Sequence, residues 1–145
     1  MKIREAAPEE AQKVAGLAIQ MWRSHTMEEL EAEFSEYIRK EGGTVFLALS
    51  DGCAVGFAQC GLRHDYVEGT ASSPVGYLEG IFVAEEYRRR GLARELTEAC
   101  QKWAKEQGCT EFASDCEADN EESRRFHVKT GFEEANRIIC FTKKL

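Results

Sequence analysis

The stretch from Val75 to Glu106 constrains the fold most strongly, because it predicts a strand, a basic loop and a helix in immediate succession. The run Val75 to Val83 is largely apolar, with Glu79 as its one charged residue, which is typical of a buried strand. The loop Arg88-Arg89-Arg90-Gly91 follows, and apolar residues recur at helical spacing from Gly91 to Glu106. Free N–H groups at a helix start, together with arginine side chains, predict an anion-binding site here.

The basic loop differs from two familiar phosphate-binding motifs. A Walker loop requires GxxxxGK followed by Ser or Thr, and a dinucleotide-binding loop requires GxGxxG early in a parallel unit. The chain contains neither pattern. A basic helix start can also be no more than a solvated helix end, but the position between a strand and a helix favours a phosphate ligand.

The remaining pattern predicts one α+β domain over residues 1–145, with a mixed, mostly antiparallel sheet flanked by helices. Asp51-Gly52 indicates a hairpin turn, and residues 63–74 form a long aperiodic loop. The predicted strands are 2–5, 44–49, 53–62, 75–83, 111–115 and 132–141, and the predicted helices follow Pro8 and Thr26 and span 91–106 and 120–130.

Composition restricts the possible partners. The 26 acidic and 19 basic residues give a net charge of -7, which argues against nucleic acid and favours a cationic small molecule, although the charge can also serve solubility alone. No apolar run is long enough to span a membrane, and the N-terminus turns acidic, so we expect a cytoplasmic protein without membrane contact. The 6 scattered cysteines indicate neither a metal site nor disulfides, and we expect most of them in the core.

The motif Arg88-x-x-Gly91-x-Ala93 resembles the pyrophosphate-binding motif of the GNAT superfamily of N-acetyltransferases, and the order of elements agrees across nearly the whole chain. The resemblance implies acetyl-CoA as cosubstrate and a central strand that splays from its neighbour. The residues that it implies for acetyl-CoA binding are Ile81, Phe82, Val83, Arg88, Arg89, Arg90, Gly91, Leu92, Ala93, Arg94 and Asn120.

Four further segments resemble the aminoglycoside 6'-N-acetyltransferases, a group of antibiotic-resistance enzymes: residues 63–69 (RHDYVEG), 72–74 (SSP), 78–83 (LEGIFV) and 113–115 (ASD). The resemblance implies transfer of acetyl to the 6'-amine of an aminoglycoside and a homodimer joined through C-terminal strands. The residues that it implies for the substrate pocket are Trp22, His25, Tyr66, Glu79 and Asp115, with Asn136 where an acidic residue is expected.

Glu79 and Asp115 are the predicted catalytic residues. A carboxylate inside an apolar strand is costly unless it faces a polar cavity or a cation, so Glu79 is suited to hold an ammonium group or to accept its proton, directly or through water. Asp115 lies near Glu117 and Asp119 and would attract a polycation. A structural salt bridge for Glu79 and a solvated loop charge for Asp115 are the alternatives.

The other pocket residues also have structural explanations. Trp22 suits core packing, His25 suits a surface or helix-cap position, and Tyr66 suits an aromatic plug in its loop. Many GNAT enzymes have a tyrosine that protonates the leaving thiolate at the position of His127, which leaves either His127 or solvent as the acid.

We expect direct transfer of the acetyl group from acetyl-CoA to the amine, since no cysteine has a nearby histidine that would make it a nucleophile. Two rival functions remain open beside aminoglycoside acetylation. One is acetylation of another amine, such as a polyamine, an amino acid or a protein amine, and the other is a non-catalytic acyl-CoA-binding sensor.

Overall fold

One five-stranded sheet organises the protein in the computed structural model, which describes residues 1–145. The strands lie in the order of the sequence, and the first four pair antiparallel while the last pair is parallel. The predicted mixed, mostly antiparallel sheet is therefore confirmed. The strands are β1 (Lys2–Glu5), β2 (Gly43–Ser50), β3 (Cys53–Arg63), β4 (Val75–Val83) and β5 (Phe112–Ser114).

Four helices flank the sheet, and local signals in the sequence explain where they begin. They are α1 (Ala11–Ala18), α2 (Met27–Arg39), α3 (Leu92–Glu106) and α4 (Glu121–Lys129). Thr26 caps α2, because its Oγ1 accepts a hydrogen bond from the N–H of Glu29 at 3.1 Å. Asn120 caps α4 in the same way, with its Oδ1 3.1 Å from the N–H of Ser123. None of the helices combines the length and apolarity needed to cross a bilayer.

The core lies on both faces of the sheet, because successive residues of a strand point to opposite sides. On one face, α1 and α2 cover the side chains of Leu47 and Phe57. On the other face, α3 covers Cys60 and Leu78. The two layers fix the position of β4 and of the loop that leads from it into α3.

The cysteines divide evenly between core and surface, so the expectation that most of them are core residues is wrong. Cys60, Cys100 and Cys109 are buried, and the other three, Cys53, Cys116 and Cys140, are exposed. A hydrogen bond with Cys60 and burial raise the pKa of the Cys100 thiol well above its usual range. This thiol therefore stays protonated and is a poor nucleophile.

The predicted last strand, Phe132 to Phe141, is wrong: residues 132–145 form neither helix nor strand. A strand requires a neighbour for its backbone hydrogen bonds, and this segment forms none with the outer edge of β5, which pairs only with β4. The second strand–helix crossover expected through α4 is consequently absent. Apolar side chains of this C-terminal segment, including Ile138, Ile139 and Phe141, are exposed.

Candidate active site

The edge of β4 is free over half of its length. β5 pairs with Gly76, Tyr77 and Leu78 only, so from Glu79 to Val83 the strand has β3 on one side and no strand on the other. Backbone N–H and C=O groups on an open edge can bind an extended ligand. The expected separation of the central strand from its neighbour is present, and Ile81, Phe82 and Val83 lie on the unpaired part of β4.

The loop between β4 and α3 directs backbone N–H groups towards one point. Arg89 and Gly91 have left-handed backbone conformations, with φ of 63° and 82°. The first hydrogen bond across the start of α3 joins the N–H of Glu95 to the carbonyl of Gly91, at 3.0 Å, so the N–H groups of residues 92–94 are available to an anion.

Two of the arginines expected to bind the anion are engaged in hydrogen bonds within the protein. Arg88 Nε donates to the carbonyl of Val83 at 2.7 Å, and Arg94 Nη2 donates to the carbonyl of Lys129 at 2.7 Å. The guanidinium of Arg90 lies 5.2 Å from the ring centre of Tyr87. The side chains of Arg89 and Arg90 form no hydrogen bond within the protein, which leaves their guanidinium groups available to an anion.

An aromatic and acidic cleft of about 320 Å³ lies on the face of the sheet that α1 and α2 cover. Trp22 forms its wall and stacks on Phe34, with ring centres 6.1 Å apart. A Cβ at Gly80 would come within 2.8 Å of the Trp22 ring, so the glycine beside Glu79 makes room for that ring. The residues lining this cleft are Trp22, His25, Glu33, Phe34, Tyr37 and Gln59.

The structure brings only some of the predicted pocket residues together. Trp22 and His25 share the cleft, and His25 Nδ1 lies 3.8 Å from Glu29 Oε2 without a hydrogen bond. Tyr66 is 76% exposed, and its hydroxyl lies 3.4 Å from Glu68 Oε2. Asn136 Oδ1 accepts from the N–H of Arg137. Tyr66 and Asn136 do not line the cleft in this structure, because one lies on a surface loop and the other on the exposed C-terminal segment.

Glu79 and Asp115 are connected through two residues outside the predicted set, and we call these four side chains the carboxylate network. Arg63 donates from Nη2 to Glu79 Oε1 at 2.7 Å and from Nε to Glu79 Oε2 at 3.0 Å. Its guanidinium carbon lies 3.4 Å from the ring centre of Tyr77. The Tyr77 hydroxyl in turn donates to Asp115. The network therefore runs from Glu79 through Arg63 and Tyr77 to Asp115.

Contacts and burial keep Arg63 charged and keep the neighbouring tyrosines neutral. The hydrogen bond with Glu79 raises the pKa of Arg63, so its guanidinium stays cationic. Burial, followed by the hydrogen bond to Asp115, raises the pKa of Tyr77. Burial also raises the pKa of Tyr37, and the charge of Glu79 adds to that shift. Both phenols remain protonated hydrogen-bond donors at neutral pH.

Of the two network residues that the sequence did not predict, Tyr77 could have been found from strand alternation. Tyr77 precedes Glu79 by two positions, so both side chains are expected on one face of β4. The register of β3 and β4 shifts between Gln59 and Cys60, whose partners are Gly80 and Leu78. Glu79 is the extra residue of this β-bulge, which redirects its side chain. Arg63 is the last residue of β3 and lies opposite Val75. Its contact with Glu79 depends on how β3 and β4 pair in the folded protein, so the sequence alone does not reveal it.

A comparison with models of protein families identifies the family of this chain. The model described as "Acetyltransferase (GNAT) family" matches residues 10–132. The chain belongs to this family. The match covers β4, whose edge is open, and the loop that leads from it into α3.

Individual relatives align with most of this chain. An aminoglycoside N(6')-acetyltransferase type 1 from Salmonella enteritidis is 40% identical over 144 residues, 99% of each chain. One from Serratia marcescens is 44% identical over 126 residues, 86% of each chain. A solved structure of AAC(6')-Iy with the bisubstrate analogue CoA-S-monomethyl-acetylneamine has a TM-score of 0.94 at 40% identity, covering 99% of this chain and 98% of that chain. The GNAT fold predicted from the sequence is confirmed.

His127 occupies the junction at which β4 and β5 part. Its Nδ1 lies 2.7 Å from the carbonyl of Ser123, and its Nε2 lies 2.8 Å from Ser114 Oγ. Ser114 Oγ in turn lies 3.2 Å from the carbonyl of Leu78, the last residue of β4 that pairs with β5. Both ring nitrogens thus have partners within the protein, so His127 joins α4 to the sheet.

Asn120 has only part of its side chain available for a ligand. Its Oδ1 is committed to the α4 cap, which leaves the amide NH₂ group as a donor. A contact of Asn120 with acetyl-CoA stays a prediction. No group of three or more His, Cys, Asp or Glu side chains is arranged to hold a metal ion.

Proposed function

We propose that this chain is an acetyl-CoA-dependent aminoglycoside 6'-N-acetyltransferase, whose activity modifies aminoglycoside antibiotics and so confers resistance. The observation that carries the proposal is that the carboxylate network and the aromatic cleft meet the free edge of β4 at Glu79 and Gly80. A cationic substrate and a thioester bound along β4 would meet there. The relative from Salmonella enteritidis, which aligns over 99% of both chains, carries the same activity in its name.

The residues present fit acetyl-CoA. Backbone N–H groups at the start of α3, with Arg89 and Arg90, would hold the pyrophosphate, and the open edge from Ile81 to Val83 would hold the pantetheine arm. Acetyl-CoA supplies an activated acetyl group as a thioester. The buried Cys60 and Cys100 are unsuited to form an acyl-enzyme, and no histidine side chain forms a hydrogen bond with the exposed Cys53, Cys116 or Cys140 to activate it, which favours direct transfer to the amine.

The carboxylate network would bind and deprotonate the substrate amine. An ammonium group is attracted to Glu79 and Asp115 and must lose a proton before it can attack, and either carboxylate can accept that proton directly or through water. Trp22 and His25 would contact the sugar rings from the wall of the cleft. Contacts from Tyr66 and Asn136 stay predictions, and each requires its segment to move towards the substrate.

A homodimer formed through the C-terminal segment is part of the proposal. Ile138, Ile139 and Phe141 are 66%, 80% and 86% exposed, which is costly for apolar side chains in water. Sedimentation should give a dimer for the unmodified chain and a monomer for Ile139→Asp, while Lys144→Asp in the same segment should remain dimeric. A monomer for the unmodified chain would contradict this part. The cytoplasmic location expected from the sequence stays a prediction.

Release of free thiol from acetyl-CoA tests the proposed activity. Thiol release is expected with an aminoglycoside that carries a 6'-amine and is not expected with a matched compound that lacks it. Spermidine and a lysine peptide serve as rival amines. Turnover only with a rival amine would replace the substrate, and tight acetyl-CoA binding without turnover of any amine would instead indicate a sensor.

A further inference from the structure

Arg63 occupies both oxygens of the carboxylate that the proposed function assigns to the substrate. Its Nε and Nη2 form a bidentate (two-pronged) salt bridge with Glu79, with Nε 3.0 Å from Oε2 and Nη2 2.7 Å from Oε1. The guanidinium also covers the ring of Tyr77, whose hydroxyl binds Asp115. One internal cation thus fills the position at which a substrate ammonium group would contact the network.

The contact is exposed to solvent, whereas the hydrogen bond from Arg88 to the carbonyl of Val83 is partly buried. The side chain of Arg63 is 42% exposed and that of Glu79 is 28% exposed. Ion pairs with this exposure are weak because water and salt screen them and because two long side chains lose freedom. An external cation can therefore compete for Glu79 at small cost, so the pair is suited to open and close rather than to stabilise the fold.

We propose that Arg63 is a displaceable internal counter-ion of Glu79, which a substrate ammonium group replaces on binding. The inference rests on the proposed function, because it takes the ligand to be an aminoglycoside. When Arg63 withdraws, it uncovers the Tyr77 ring and frees both oxygens of Glu79, while Asp115 keeps its hydrogen bond from Tyr77. A ligand with several ammonium groups gains contacts with both carboxylates, whereas a monoamine must displace Arg63 with a single charge. Arg63 thereby selects polycations over simple amines.

Equilibrium binding of one 6'-amine aminoglycoside to the full chain with CoA bound tests this role. Arg63→Gln keeps much of the side-chain length and removes the charge, and the Kd of the aminoglycoside should fall about fivefold, the change that corresponds to about 1 kcal/mol. Arg63→Lys keeps the charge without the two-pronged contact and should give an intermediate Kd. Arg39→Gln on α2 is the control, since Arg39 bonds to Ser35 and not to the network.

A double-mutant cycle separates displacement from a general change of charge. In a Glu79→Gln background, Arg63→Gln should tighten binding much less than in the wild type, because the carboxylate for which Arg63 competes is gone. Equal tightening in both backgrounds, or a Kd for Arg63→Gln that is unchanged or higher, would overturn the role. A higher Kd would instead identify Arg63 as a residue that positions Glu79 for the substrate.

Wild-type thiol release, measured on the same preparation, separates the two proposals. If the wild type turns over the aminoglycoside and Arg63→Gln binds it no more tightly, only the counter-ion role fails. If the wild type neither binds nor acetylates the aminoglycoside, the proposed function fails and the counter-ion role fails with it.

Discussion

The proposed cofactor half and the proposed substrate half of the site differ in the part of the chain that would contact the ligand. The cofactor half consists of the open edge of β4 and the start of α3, and it offers mainly backbone N–H and C=O groups. The substrate half consists of the cleft and the carboxylate network, and it offers side chains from α2, β3 and β4 and from the segments after α1 and β5. Substitutions in the cofactor half should therefore affect ligand binding through backbone conformation. Substitutions in the substrate half should affect it through side-chain charge and shape.

The largest effect is expected from removing the charge of Glu79. Glu79→Gln keeps the shape but cannot accept a proton, so kcat/KM for the aminoglycoside should fall by about 10²-fold or more, while acetyl-CoA binding should not change. Glu98→Gln, an exposed carboxylate on α3, is the control for net charge. Equal losses of acetyl-CoA and aminoglycoside affinity would contradict the division into two halves.

The shape of the substrate half depends on a glycine. A Cβ at Gly80 would meet the Trp22 ring at 2.8 Å, and Phe34 and Phe57 hold that ring in place. Gly80→Ala should lower the free energy of unfolding by about 1–3 kcal/mol and raise KM for the aminoglycoside roughly tenfold. Thermal melts and steady-state kinetics measure the two effects.

Gly16→Ala provides the matched control for this substitution. No atom lies within 4 Å of a Cβ at Gly16, which is inside α1, so this change should raise stability by about 0.5–1 kcal/mol and leave KM unchanged. An unchanged KM for Gly80→Ala would show that Trp22 belongs to the core alone.

Backbone strain should weaken the cofactor half by a smaller amount. Gly91 has a φ of 82° with open space around it, so Gly91→Ala adds strain of about 1 kcal/mol without a clash. The Kd of acetyl-CoA should rise about fivefold, and the affinity for the aminoglycoside should not change. Gly108→Ala has a similar φ of 94° at the opposite end of α3 and should leave the Kd of acetyl-CoA unchanged. An equal rise in both variants would show a global effect of strain.

The smallest effect on turnover is expected at the junction of the two halves. His127→Phe keeps an aromatic ring beside Phe126 and Phe132 and removes the contacts with Ser114 and Ser123. If these contacts only join α4 to the sheet, stability should fall by about 1 kcal/mol and kcat should change less than about threefold. A loss of kcat larger than about tenfold would identify His127 as the acid for the leaving thiolate.

The same division explains how far the sequence predicts the molecule. The loop between β4 and α3 is one contiguous segment with a motif, and caps such as Thr26 and Asn120 mark helix starts locally, so the positions of these features follow from the sequence. The link from Arg63 to Glu79 depends on the register of two strands and on a β-bulge, which no local pattern specifies. The predicted strand 132–141 has a suitable composition, but composition does not specify pairing, and this segment pairs with no strand of the sheet.

Locating the acetyl group in the product tests the central claim most directly. The full chain is incubated with acetyl-CoA and an aminoglycoside that carries several amines, and two-dimensional NMR then identifies the nitrogen that has become an amide. The account predicts a single product acetylated at the 6'-nitrogen. Acetylation at another amine, or a mixture of positions, would contradict the claim that this site directs the 6'-amine to the thioester.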